Sequence, residues 1–280
     1  MRIPARKISA KRKPGQRRGN RCRGAPEVWH ELYDWYDSQV GVQLLKTEQQ
    51  VLDAILPDLF GYYLVALAHP LQADRFAASR VSRRRVMNLC AQDYHPPLEA
   101  EGFRGEADRL PLQTDSIDVL VLPHVLEFTR QPHEVLREVE RVLIAEGHVV
   151  ILGFNPFSLW GLWRLALGWR RGAPWCGAFR GVTRVRDWLS LLGFDVLGTR
   201  YYFFRPPLQH RGILRKLALL ERLGQRLWPI FGGGYALVAK KRVVTLTPVR
   251  PRWAARKRLV STGLVEPMKP HRKESCEQDR

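Results

Sequence analysis

Ile117-Asp-Val-Leu-Val-Leu122 leads into residues 134–145, where Val135, Leu136, Val139, Val142 and Leu143 recur at helical spacing, and then into His148-Val-Val-Ile-Leu152. A nearly continuous run of β-branched and aliphatic residues is what a parallel strand covered on both faces by helices requires. Strand, helix and strand in such close succession make a crossover unit. Repeated crossover units build a doubly wound α/β sheet, whose ligands gather at the carboxyl ends of its strands.

Outward from this unit, residues 61–68 predict a first strand, 85–90 a second and 103–107 a short third. Upstream, residues 27–38, rich in Trp29, Leu32, Tyr33, Trp35 and Tyr36, and residues 44–56, apolar at helical spacing before Pro57, predict leading helices that cover the sheet or its site. Downstream, residues 182–192 predict a helix ended by Gly193, followed by strands over 194–204 and 232–241.

The formal net charge of +19 is uneven: residues 1–25 carry +10 and residues 240–280 carry +8, which leaves +1 for 26–239. The composition therefore predicts a near-neutral folded domain over 26–241 between two basic, disordered tails, 1–25 and 242–280. Such tails suit nucleic acid or an anionic membrane surface, or are simply solvated. Cys22, Cys90, Cys176 and Cys276 form no C-x-x-C pair. That spacing argues against a metal site and a disulfide framework, and it predicts a reducing, cytoplasmic setting. No run of 18 apolar residues exists to span a membrane, so any membrane contact is expected to be peripheral.

Glu106-Ala-Asp-Arg-Leu-Pro-Leu112, Ser116-Ile-Asp118 and Arg141-Val-Leu-Ile-Ala-Glu-Gly147 resemble the middle of a class I S-adenosylmethionine-dependent methyltransferase domain of the type 11, small-molecule kind. The resemblance implies a seven-stranded, mostly parallel, Rossmann-like sheet with 232–241 as its antiparallel last strand, and S-adenosyl-L-methionine as cofactor. It places Asp108 at the acid that contacts the adenine amine, Arg109 and Leu110 where backbone amides face the ring, and Asp118 at the buried acid of the fourth strand. Glu146 and Gly147 fall on the turn before the fifth strand. Leu67, Ala68 and His69 fall on the loop after the first strand, Asn88 on the ribose acid of the second, and Pro123 at the end of the fourth. The glycine-rich motif is altered: Ala66 stands at its acid, and Ala68, Pro70 and Gln72 at its glycines.

His124 follows the fourth strand, where methyl donor and acceptor meet in this architecture, and is the candidate general base, with Glu127 in the first turn beyond it. Capping of that turn is the alternative for His124. Residues 155–175, with five bulky aromatics and Arg164, Arg170 and Arg171 close by, read either as core cover or as a membrane-interface lid. Residues 211–228 form a second basic amphipathic stretch. Two functions stay open at this point: a methyltransferase acting on an unidentified acceptor, and a catalytically silent methyltransferase-like module for binding or assembly.

Overall fold

The computed structural model describes residues 27–68, 74–89, 102–166, 172–206 and 229–243. Strands β1 (Tyr63–Leu67), β2 (Arg83–Asn88), β3 (Gly102–Arg104), β4 (Ile117–Pro123), β5 (Leu143–Phe154), β6 (Phe194–Tyr202) and β7 (Gly234–Lys241) form one sheet in the order β3-β2-β1-β4-β5-β7-β6. The pairs β3-β2, β2-β1, β1-β4 and β4-β5 are parallel, whereas β7 runs antiparallel to both β5 and β6. This is the doubly wound, seven-stranded α/β sheet that the sequence predicts.

Leu64 to Leu67, Val119 to Pro123 and Val149 to Phe154 are buried without a break, because helices cover both faces of the sheet centre. Helix α4 (Pro132–Val142) buries Val135, Leu136, Val139 and Val142 on one stripe against this core. On the amino-terminal side, α1 (Glu27–Tyr36) and α2 (Gln39–Ile55) meet at Ser38, whose hydroxyl accepts from the Gly41 amide at 3.1 Å as an N-cap. Gly41 lies so close to the preceding turn that a Cβ would stand 2.5 Å from the Trp35 carbonyl. The remaining helices are the single turn α3 (Val125–Phe128), α5 (Leu159–Ala166) and α6 (Val182–Leu191).

Several boundaries differ from expectation. The helix predicted over 134–145 starts at Pro132 and stops at Val142, because Leu143 pairs with Ile117 and opens β5. A register shift follows between Ile117 and Val119, with Glu146 at φ 64°, so the turn expected before the fifth strand is a bulge inside it. Strand β2 starts two residues early, on exposed arginines, since Arg83 donates its amide to the Tyr62 carbonyl at 2.8 Å and extends the pairing with β1. The strand predicted over 194–204 ends at Tyr202, where Phe203 turns the chain at φ 61°. The cysteine spacing misleads as well: Cys176 is in a disulfide, and its partner lies outside the described residues.

Two side chains fasten the sheet to its surroundings. Asp118 accepts from the amides of Tyr62 and Tyr63 at 3.0 and 2.9 Å, fixing the start of β1 on β4. Lys241, its side chain almost buried, donates to the Glu140 and Leu143 carbonyls at 2.7 and 2.8 Å and to Asp115 at 3.0 Å. A cation on the last carbonyls of α4 satisfies acceptors that the helix leaves open and opposes its dipole.

Lys241→Met should therefore destabilise the domain by about 1.5 to 3 kcal/mol, the range for hydrogen bonds to charged groups. Urea unfolding of parent and variant measures it. Asp118→Ala should lower the unfolding free energy from the same experiment by about 1 to 3 kcal/mol for the two hydrogen bonds lost, with Asp118→Asn intermediate because its amide oxygen still accepts.

Candidate active site

At the carboxyl end of β4 the chain turns sharply. His124 adopts the left-handed conformation, φ 54° and ψ 22°, while its amide still donates to the Leu152 carbonyl of β5 at 2.9 Å. A non-glycine residue in this region stores strain that neighbouring contacts must offset, and such residues concentrate at functional sites. The turn sends the fully buried imidazole under the strand ends. There its Nε2 lies 2.8 Å from Glu48 Oε1, and its Nδ1 lies 3.8 Å from Glu127 Oε1.

Glu48 comes from α2, 76 residues away in sequence. It is also fully buried, and its second oxygen takes the Arg75 guanidinium at 2.8 Å. The Tyr202 hydroxyl of β6 reaches Glu48 Oε1 at 3.5 Å. Glu127 accepts the Phe154 amide at 2.7 Å through Oε1, while its buried Oε2 has no hydrogen-bond partner among the described residues. Phe154 stacks on the imidazole with ring centroids 4.0 Å apart. Gly153 leaves room for this assembly, since a Cβ there would lie 2.5 Å from the Tyr235 hydroxyl and 2.8 Å from Glu127 Oε1.

The electrostatics follow from that packing. Burial alone would push the imidazole pKa down, but the Glu48 charge, helped by Glu127, overcomes it and holds His124 up at about 9. Burial would likewise raise Glu48, yet the charges of His124 and Arg75 and their hydrogen bonds keep it below the usual carboxylate range. Tyr36, Tyr202 and Tyr235 are pushed well above 10, by burial first and then by the carboxylates nearby. At neutral pH the cluster therefore holds an imidazolium between carboxylates, ringed by neutral phenols. An imidazolium has no lone pair to accept a proton.

The other expected site residues lie along the carboxyl edge of β1, β2 and β3. Leu67 and Ala68 are buried at the end of β1, and the Ala68 amide donates to the Met87 carbonyl at 3.1 Å. Ala68 is not among the positive-φ residues, so its Cβ brings no backbone strain where the family carries glycine. Asn88 is buried at the end of β2, Pro123 at the end of β4. His69, Pro70 and Gln72 lie outside the described residues. Asp108 is exposed in the turn closed by the bridge between Glu106 and Arg109. The resemblance places the Arg109 and Leu110 amides where an adenine ring would lie. Arg109 donates to the Glu106 carbonyl at 3.2 Å and Leu110 to Glu138 Oε2 at 2.9 Å, so both amides are already used inside the protein.

Glu48 escaped the sequence analysis although a signal for it exists. In α2 the buried stripe runs Val40, Leu44, Glu48, Leu52 at intervals of four, with a carboxylate in the middle of an apolar face. Buried carboxylates of this kind are almost always paired. Gly105, the residue before Glu106, donates its amide to the Asn88 carbonyl at 3.2 Å.

Comparison with known proteins agrees with the fold. The family model described as a methyltransferase domain matches residues 65–151. A protein of Escherichia coli (strain K12), described as the uncharacterized protein YafS, is 31% identical over 223 residues, covering 80% of this chain and 84% of its own. A crystallised S-adenosylmethionine-dependent methyltransferase of Thermotoga maritima superposes with a TM-score of 0.57 at 16% identity, covering 78% of this chain and 98% of its own. A chain from the complex of the Haloferax volcanii Trm112 methyltransferase activator with a methyltransferase gives a TM-score of 0.54 at 16% identity, covering 77% and 98%. The chain thus belongs to one family with the E. coli protein and carries, over residues 65–151, a class I S-adenosylmethionine-dependent methyltransferase domain on a seven-stranded sheet of this order.

Proposed function

We propose that this protein methylates an acceptor presented at the carboxyl ends of β4 and β5, with the Glu48–His124–Glu127 cluster setting the charge of that subsite. The supporting observation is the buried imidazolium held between two carboxylates at the exit from β4. The residues present suit S-adenosylmethionine along the β1–β3 edge. Ala68 accepts its side chain without strain, Asn88 offers a buried amide for the ribose hydroxyls, and Glu106 and Asp108 offer carboxylates on the adenine side. Glu106, next to the exits of both β2 and β3, is the better placed acid.

Bound S-adenosylmethionine supplies a methyl carbon made electrophilic by sulfur. An acceptor atom that took this methyl group would release a proton as it did so. In-line positioning accounts for most of such catalysis. His124 is a positioning residue here, its Nδ1 lying 3.8 Å from Glu127 Oε1. Glu127 Oε2 is the atom able to take a hydrogen bond, or the released proton, from an acceptor hydroxyl or amine.

Titration of S-adenosylmethionine by calorimetry tests the cofactor side. Glu106→Ala should weaken binding by about 1.5 to 3 kcal/mol, roughly ten- to a hundredfold, because a charged acceptor is lost. Asp108→Ala should change it less, and the reverse order would return the adenine contact to Asp108.

The raised pKa of His124 gives a second expectation, with the sign fixed by linkage. Stability from the charged imidazole is fully present below its unfolded value of 6.5 and is lost as pH rises through about 9. The parent Tm should fall between those limits. His124→Asn should lower Tm at pH 6 by removing one member of a buried ion pair, and should flatten the decline above it.

A further inference from the structure

Helix α5 has no polar face. Trp160 and Gly161 are buried on one side, yet Leu159, Leu162 and Leu165, spaced by three, stand 51%, 63% and 72% exposed on the other. Phe157, just before the helix, is exposed too. Ile230 and Phe231, in the 3-10 turn Pro229–Phe231, are exposed as well, and Asn155, two residues before Phe157, ties that turn down by donating its side-chain amide to the Ile230 carbonyl at 2.6 Å. Exposed apolar side chains grouped at this end of the chain's fold mark a surface that is covered in function.

The charges in the sequence around the patch identify its cover. The chain leaves α5 through Leu-Gly-Trp-Arg-Arg171 and enters the 3-10 turn from residues 211–228, which carry Arg211, Arg215, Lys216, Arg222 and Arg226 against a single acid, Glu221. An apolar face flanked in sequence by Arg, Lys and Trp matches an anionic bilayer, which offers acyl chains beneath negative headgroups. No helix among the described residues is long and apolar enough to cross a membrane, so contact at this face is interfacial.

We propose that Phe157, Leu159, Leu162, Leu165, Ile230 and Phe231 dock the protein on the surface of an anionic lipid bilayer. The docked face lies two aromatic rings from the buried cluster: Trp160, on the inner side of α5, stacks on Phe154 at 5.7 Å, and Phe154 stacks on His124. This inference does not depend on the reaction assigned above.

Co-sedimentation of the full chain with phosphatidylcholine vesicles, with and without phosphatidylglycerol, tests it alongside the triple variant Leu159→Ser, Leu162→Ser, Leu165→Ser. That variant keeps every basic residue and both tails. It should keep its Tm, since the three side chains are exposed. The parent should partition onto vesicles containing phosphatidylglycerol, and the variant should lose about tenfold or more of that partitioning. Equal partitioning of the two would assign binding to the basic segments alone and overturn the proposal, as would absence of partitioning by the parent. A parent that runs as a dimer on gel filtration, and a variant that runs as a monomer, would assign the patch to a second copy of the chain and overturn it equally.

Discussion

A carboxylate, Glu48, is held out of water against the imidazolium of His124, and the elements around the sheet ends are arranged to satisfy that pair. Two charges leave water at a cost of several kcal/mol each, which only close partners and further hydrogen bonds can offset. Those partners come from separate parts of the chain: α2 brings Glu48, the segment after β1 brings Arg75, the turn after β4 brings His124 and Glu127, and β6 brings Tyr202. Removing any one leaves the others with buried charge. The ion pair fixes where these elements sit in a way that apolar packing, which tolerates exchange of similar shapes, does not.

The division of labour across the sheet follows. On the β1–β3 side the strand ends are lined by small or neutral residues, Ala66, Ala68 and Asn88, with acids only at the rim. On the β4–β5 side an ion pair, Glu48 and His124, lies deep. The altered glycine motif then reads as a change in how closely the backbone needs to approach. At Ala68, the one replaced glycine position that is described, the backbone has no positive φ.

The sheet centre was legible because burial on both faces leaves a plain signature: Ile117 to Leu122 and His148 to Leu152 are apolar almost throughout. Its margins were less so. Leu143, Ile144 and Ala145 continue the helical pattern of α4 and became strand only because Ile117 lies alongside to pair with Leu143. The arginines that open β2 hide it, since a strand near the sheet edge needs little apolar cover. His124 was visible by its place after β4, but its charge was not, because the group that sets it lies on α2 and no local pattern links the two. The intramolecular partners of the Arg109 and Leu110 amides were hidden for a related reason. Which acceptor an amide finds, here Glu106 and Glu138, is settled by tertiary packing.

The placement of β7 has a consequence for how the molecule is made. Because β7 lies between β5 and β6, the sixth strand has nothing to pair with until the seventh has left the ribosome. Lys241, which ties the end of α4, sits at the last position of that strand. The parallel half of the sheet can assemble while synthesis continues, but the half that carries Tyr202 to Glu48 waits for the end of the domain. A nascent chain stalled before β7 would expose both a long unpaired edge on β5 and a buried carboxylate lacking one of its partners, which makes it a ready target for chaperones.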